Sequence, residues 1–380
     1  MGPSERLSGG SAAQRVEVCI RGAGIVGRTL ALALSHQGLR VALQAEARAA
    51  DARADVRAYA LNAASVALLE QLKVWPALPV DARTAVHDMR IEGGGRAALS
   101  FSAWQQAVRE LAWIVDAAAL EAELDAALRY APNVQRVEAA VDAPLVVLAE
   151  GRASATREAL GVAFEMHDYG QRAIAARLST DVPHDGLARQ WFRAPDVLAL
   201  LPIDRPAPGA GFALVWSLPN ARADAMLALD DAAFEAELNA ATGGAAGMLR
   251  LTSERRAWPL ALARAERVCG PGWVLVGDAA HLIHPLAGQG LNLGLADVAA
   301  LARVVAEREP WRALGDARLL ERYARERAGP TLAMARLTDG LWQLFAHPSP
   351  WARELRERGL GLVQAAAPIK RWLAAQAFGR

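Results

Sequence analysis

Cysteine is nearly missing from this 380-residue chain: Cys19 and Cys269 are far apart and form no Cys-x-x-Cys pair. That excludes a disulfide framework and fits a reducing, cytoplasmic compartment. Lysine is equally scarce, because Lys73 and Lys370 are the only lysines among 42 basic residues. Basic and acidic side chains nearly cancel, leaving a net charge of +1. With no field to grip a phosphate backbone, nucleic-acid binding is not expected. No apolar run reaches about 18 residues, so no membrane-spanning helix is expected either. The first fourteen residues lack the apolar centre of a signal peptide and read as a flexible leader, 1–14. Absent too are a Gly-x-Ser-x-Gly elbow, a P-loop and a His-Glu-x-x-His pair, so hydrolase, kinase and zinc-protease chemistry has no support.

What remains is a chain that is 53% hydrophobic and 22% charged, enough to build a substantial core. At about 150 residues per domain the length predicts two or three domains. Val16–Ile20 reads as a buried strand, Thr29–Leu34 as a buried helix ended by Gly38, and Arg40–Leu43 as a second strand. Ser65–Leu72 and Leu111–Leu128 carry helical patterns, and Leu145–Leu148 is a short strand. From Ala159 to Trp216, β-branched and aromatic residues alternate with turn signals, predicting an antiparallel sheet. A helix is expected over 232–240, a strand over Trp273–Val276 and a long helix from about Asn292 to Glu307. The rest reads as helix broken at Pro310, Pro330 and Pro368.

Between the first strand and helix stands Gly22-Ala23-Gly24-Ile25-Val26-Gly27. Gly22 permits a tight turn, Gly24 lets backbone approach a pyrophosphate, and Gly27 lets the helix pack on its strand. The anion would sit at the helix N-terminus, where unpaired N–H groups and the dipole favour it. The bland alternative is a glycine-rich tight turn. A ribose carboxylate is expected after the second strand, where the chain reads Leu43-Gln44-Ala45-Glu46 and offers Glu46.

The most specific segment is Val274–Leu295, VLVGDAAHLIHPLAGQGLNLGL. With it the chain resembles the class A FAD-dependent aromatic monooxygenases, of the para-hydroxybenzoate hydroxylase-like fold, and among them the ubiquinone-biosynthesis hydroxylases. The resemblance implies that Asp278, after Gly277, hydrogen-bonds the ribityl chain of FAD. It implies that Pro285 lines the flavin face, while Gly288, Gln289 and Gly290, followed by Asn292, bring backbone N–H groups to the flavin edge. Negative charge develops at that edge on reduction, and a bare helix N-terminus stabilises it. Pro285, Gly288 and Gln289 would form the environment of the flavin C4a-hydroperoxide, with no side-chain nucleophile required.

Further elements extend the likeness over about residues 16–379. Asp55-Val56-Arg57 matches a D-x-R element whose Arg57 would lie by the cofactor. Glu150–Arg157 resembles an Asp-Gly-x-x-Ser-x-x-Arg element near the pyrophosphate and the NAD(P)H path. Asp168–Gln171, His184, Phe192 and Leu198–Pro202 match the substrate-domain sheet, and Trp258-Pro259-Leu260 and LTDGLWQLF also fit. Departures from the pattern are Arg21 at the end of the first strand, Ala45 at the ribose position, Glu121 for a cofactor-side Gln, and Glu150 for Asp. The 129–149 segment is also short for the family. His281 and His284 have a spacing compatible with a metal, but packing or hydrogen bonding within the loop suits them better.

The expected fold is therefore α/β: a doubly wound FAD/NAD(P)-binding domain from 15–85, 111–158 and 262–308, an antiparallel-sheet substrate domain from 86–110 and 159–261, and a helical C-terminal region, 309–380. The expected activity is FAD-dependent hydroxylation of a prenylated phenol in ubiquinone biosynthesis, with NAD(P)H as co-substrate and O₂ as oxidant. The alternatives are a catalytically weakened accessory subunit with the flavoprotein fold, motivated by the departures, and a hydroxylase of a small soluble phenol. The mildly amphipathic 359–379 stretch reads first as a helix packed on its own domain, given so few charges, and leaves open a peripheral contact with the inner membrane, a ubiquinone-biosynthesis complex or an oligomer.

Overall fold

In the computed structural model, which describes residues 15–45, 55–93, 98–283 and 289–346, the chain opens with β1 (Val18–Arg21), α1 (Ile25–His36) and β2 (Val41–Gln44). Val18, Cys19 and Ile20 are fully buried, as a strand covered on both faces requires. Most of α1 is buried on all sides, which is why its TLALAL run shows little polar face. Next come β3 (Ala58–Leu61), α2 (Ala63–Gln71), β4 (Arg83–Val86), β5 (Asp88–Glu92), β6 (Ala98–Ser102), β7 (Ala112–Asp116) and α3 (Ala117–Arg129). The helix expected from Leu111 is thus half wrong. Trp113, Ile114 and Val115 favour a pleated strand, and Asp116 stops it by accepting the Ala119 N–H as the N-cap of α3.

The short 129–149 segment holds two strands, β8 (Val134–Val137) and β9 (Leu145–Leu148), rather than one. β8 lies at a sheet edge with half its residues exposed, so VQRV offered no apolar run to read. After α4 (Ala155–Ala159) follow β10 (Phe164–Ser179), β11 (Leu187–Arg193), β12 (Asp196–Ile203) and β13 (Gly211–Pro219). The chain continues through α5 (Asn220–Ala228), α6 (Asp231–Thr242), β14 (Arg250–Leu251) and β15 (Arg256–Ala265). The last described elements are β16 (Cys269–Gly270), β17 (Trp273–Leu275), β18 (His281–Leu282), α7 (Gln289–Ala306) and α8 (Ala317–Ala346). α8 runs straight through Pro330, where a break was expected. A proline removes one backbone bond, and a helix already nucleated on both sides tolerates that loss when its flanks pack. Buried Thr331 and Thr338 show that packing.

The described strands form three sheets. One has the order β16-β17-β9-β1-β2-β8, with β17, β9, β1, β2 and β8 mutually parallel and β16 antiparallel at the edge. β1 runs outward to β2 on one side and β9 on the other, so the strand order reverses there and leaves a crevice at the strand ends. The large sheet runs β18-β15-β10-β13-β12-β11-β5-β6 and is antiparallel except where β11 meets β5. α5 and α6 cover one of its faces through a core of Trp191, Trp216, Phe212 and Phe234. The small sheet, β3-β7-β4, packs toward the other face. A buried ion pair joins the two: Arg177 of β10 donates to Asp116 Oδ2 at 2.9 Å and to the Arg57 carbonyl at 2.6 Å.

Candidate active site

The three glycines of the first turn differ in what surrounds them. Gly22 has φ +105°, which favours glycine, and a Cβ there would sit 2.3 Å from the Ala149 carbonyl oxygen at the end of β9. A Cβ on Gly27 would lie 1.9 Å from the Gly22 oxygen, so the helix is packed directly on the turn. Gly24, between them, has no heavy atom within 4 Å of its missing side chain and faces a cavity of about 1080 Å³. It is also the N-cap of α1, without a side-chain cap or an acidic residue in the first turn. The helix therefore presents bare N–H groups to the cavity, a setting that suits an anion.

Around this turn the cavity wall carries Arg28, Arg57 and Glu121. Glu121 does not face the cavity alone: it lies 3.1 Å from Arg28 Nη1 and 3.8 Å from Arg57 Nη2. Arg28 also binds Asp125 at 2.8 Å, and Arg57 binds Asp55 at 2.6 Å. The Asp55 hydrogen bond outweighs burial and raises the Arg57 pKa further. Burial would raise Asp55, but its bonds from Arg57 hold the carboxyl below the usual range. Arg57 stacks near Tyr59 and Trp258, and burial pushes the Tyr59 phenol up to about 12, so it stays neutral. Glu150 is likewise occupied, accepting from Ser154 Oγ at 2.5 Å and Thr156 Oγ1 at 2.6 Å. Arg21 reaches Thr156 Oγ1 at 2.8 Å, which gives that unusual strand-end charge a partner. Because two guanidinium groups share Glu121, Glu121→Gln should release positive charge toward a phosphate. We expect FAD to bind E121Q about three- to tenfold tighter in a flavin-fluorescence titration; weaker binding would show that Glu121 chiefly positions the arginines.

Glu46, Pro285, Gly288 and His284 lie outside the described residues. At the tip of β2, Gln44 and Ala45 line the cavity. β2 is in unbroken register with β1 up to the Arg21–Gln44 pair, so no bulge brings a later residue into the Ala45 position. The buried Gln44 Oε1 has no hydrogen-bond partner among the described residues. Sequence reasoning passed over this acceptor because it sought a carboxylate.

The Gly277–His281 stretch is clamped from behind. Asp297 of α7, fully buried, accepts from the Gly277 N–H at 2.9 Å, His281 Nε2 at 2.7 Å and Arg327 Nε of α8 at 2.7 Å. Arg157, buried and stacked on Phe164, donates to the Ala279 carbonyl at 3.0 Å. His281 thus bonds across to α7 rather than within its own loop. Asp297 and Arg327, which carried no motif, were missed; only their contacts through the fold reveal them. Asp278 lines the cavity, and burial raises its carboxyl pKa, with His281 and Arg57 offsetting part of the rise. Gly290 lines the cavity with no atom within 4 Å of its Cβ position. Gln289 and Asn292 are buried instead. Asn292 Oδ1 accepts from the Asn62 N–H at 3.0 Å and Ser65 Oγ at 2.8 Å, while its Nδ2 donates to the Ala60 carbonyl at 2.8 Å. It ties α7 to the start of α2 and is not among the cavity-lining residues.

Burial works against charging His281, but the charge and hydrogen bond of Asp297 prevail and raise its pKa above 6.5. Asp297 moves the other way: burial would raise it, yet His281 and Arg327 hold it low. A raised histidine contributes stability fully present below its unfolded pKa of about 6.5 and lost as pH climbs through the folded value. Thermal melts above pH 6.5 should therefore show a loss of stability that is smaller in His281→Asn; an equal loss in both chains would assign it to other groups.

Beyond Asp278 the cavity enters a slot between the large and small sheets. Ala173, Ala175, Ala188 and Ala199 line one wall, with Ala58, Ala60 and Ala112 on the other. Facing sheets ordinarily fill a gap of about 10 Å with interdigitating side chains. Alanines on both walls leave room for a flat, apolar guest.

The protein family described as "FAD binding domain" matches residues 99–338. A ubiquinone hydroxylase, UbiL, of Rhodospirillum rubrum is 33% identical over 97% of this chain and 91% of its own length. The 3-demethoxyubiquinol 3-hydroxylase of Escherichia coli is 30% identical over 96% of this chain and 99% of its own. Among solved structures, pqsL of Pseudomonas aeruginosa, a probable FAD-dependent monooxygenase, superposes with a TM-score of 0.75 at 21% identity, covering 91% of this chain and 99% of that one. No helix among the described residues is long and apolar enough to cross a membrane.

Proposed function

Because this chain belongs to the family of FAD-dependent aromatic monooxygenases that contains the ubiquinone-biosynthesis hydroxylases, we propose that it hydroxylates the ring of a prenylated phenol, with NAD(P)H as reductant and O₂ as oxidant. The observation that carries this reading is one continuous cavity that joins the bare N-terminus of α1 to the alanine-walled slot. Flavin, when bound, supplies the redox chemistry that reductively activates O₂ and passes one oxygen atom to the ring. The protein's own part is to hold, orient and exclude water.

Gly22, Gly24 and Gly27 with the α1 N-terminus would take the pyrophosphate, with Arg57 and Arg28 beside it. Gln44 would offer an acceptor toward the adenosine ribose, and Asp278 one toward the ribityl chain. Gly277, at φ +61°, turns the chain into Asp278, and Gly290 would let the α7 backbone come close to the flavin edge, with Gln289 beside it. Pro285 and Gly288, outside the described residues, would belong to that environment by their place in the motif. Asn292 would act by fixing α7 rather than by touching the cofactor. Glu46, one residue past the Ala45 position and outside the described residues, has no part in this reading. Neither Glu121 nor Glu150 presents an unpaired carboxylate to the pocket, so the departures that motivated a weakened accessory subunit do not favour it. NAD(P)H would visit only transiently, in keeping with a single nucleotide-binding turn. The prenyl chain of the substrate supports a peripheral contact with the inner membrane.

Purified protein loaded with FAD should show NAD(P)H oxidation stimulated by a prenylphenol and a product one oxygen atom heavier by mass spectrometry. A colourless sample that gains no flavin absorbance on adding FAD would overturn the proposal. Turnover of small phenols but not prenylated ones would move it to the soluble-phenol reading.

A further inference from the structure

β11 lies between β12 and β5, and its register places Gln190 beside Ala199 on one side and Ile91 on the other. Ala199 in turn pairs with Val215, and Val215 with Ala175 of β10. Residues in register on neighbouring strands point to the same face. One row therefore runs through Leu99, Ile91, Gln190, Ala199, Val215, Ala175 and Arg256, and Gln190 is its one polar member that lines the slot. This row belongs to the face that lines the slot. The other polar side chain on that face of the slot, Ser217, lies two strands away along the sheet. Gln190 is half-buried and has no hydrogen-bond partner among the described residues, so its amide is open to a guest in the slot. No neighbour in the row offers a donor or acceptor of its own.

Resting on the hydroxylase function, we propose that Gln190 is the specificity-determining contact for the substrate's ring hydroxyl. Its Oε1 accepts the phenolic O–H, or its Nε2 donates to the phenolic oxygen. The alanines at 175 and 199 provide the flat space in which the ring lies. A single polar point in the slot-lining part of the row fixes the rotation of a flat ring, and so fixes which ring carbon is presented for oxidation. A site built to pair a hydroxyl also rejects analogues that lack it, because the amide is then stranded.

The test uses FAD-loaded protein, isothermal titration and two probes, 2-prenylphenol and prenylbenzene, which differ only in the hydroxyl. The unmodified chain should bind the phenol about tenfold tighter than the hydrocarbon, as one hydrogen bond predicts. Gln190→Leu should erase that preference, leaving FAD affinity and melting temperature unchanged because Gln190 stands away from the glycine turn. Gln190→Ala carries the same comparison should leucine disturb the fold. Equal binding of the two probes by the unmodified chain, or a preference that survives in both variants, overturns the anchor. An unmodified chain that holds FAD yet binds neither probe overturns the hydroxylase function itself, and the anchor with it.

Discussion

Asp297→Ala should destabilise the chain by about 3–5 kcal/mol, the usual consequence of removing one member of a buried charge network. The reason lies in what the carboxylate leaves behind. His281 and the Gly277 N–H lose their acceptor on Oδ2, and Arg327 loses its acceptor on Oδ1. A half-buried guanidinium and a buried imidazole then lack compensation, while α7, α8 and the Gly277–His281 turn lose their shared tie. Denaturant unfolding with and without FAD measures the loss, and flavin should be shed during purification because Asp278 sits on the released turn. Asp297→Asn should fall between the two, since the amide oxygen can serve one donor but supplies no charge. A cost below about 1 kcal/mol for the alanine variant would mean the network is not holding the loop.

The second large effect separates binding from folding. Gly24→Val should leave folding nearly intact, losing about 1 kcal/mol at most for a poorer N-cap, because nothing lies within 4 Å of the new Cβ. The same side chain would occupy the space through which a pyrophosphate approaches the α1 N-terminus. Losing two charge-assisted backbone bonds should weaken FAD at least about a hundredfold. Gly27→Ala should do the reverse, because its Cβ meets the Gly22 carbonyl at 1.9 Å. Overpacking a backbone contact costs about 1–3 kcal/mol or more. Melting curves and FAD titrations on both variants separate the cases. A Gly24→Val chain that binds FAD normally would remove the glycine turn from the cofactor site.

Much of this architecture was legible because its signals are local. β1, α1 and β2 announce themselves through an apolar run, spaced glycines and a second apolar run, each readable within a few residues. β17 and α7 follow in the same way from WVLV and the glycine-rich segment after it. Local signals failed where context decides. Leu111–Leu128 has a helical spacing throughout, yet the Asp116 cap divides it into β7 and α3. β8 exists because the edge of β2 needs a partner, not because VQRV is a strong strand former. Pro330 forbids one hydrogen bond, and the packing of α8 absorbs that local cost.

The site divides along the same line. Sequence alone offered the nucleotide turn, because glycines at the spacing of Gly22, Gly24 and Gly27 follow from how a backbone cradles an anion, while the Asp278 loop and the glycine-led helix came from the family resemblance. It could not determine charge balance, since Glu121 and Glu150 read as unfavourable until their partners are seen. Arg28, Arg57, Ser154 and Thr156 neutralise or saturate them, and those pairings depend on which elements meet. Nor could it find Asp297, Arg327 or Gln190, which carry no motif and matter only through neighbours remote in the chain. Covalent spacing sets what one segment can present to a ligand, whereas electrostatics, burial and the shape of the slot are properties of distances between segments. Those distances come into being only when three sheets and their helices close around one cavity.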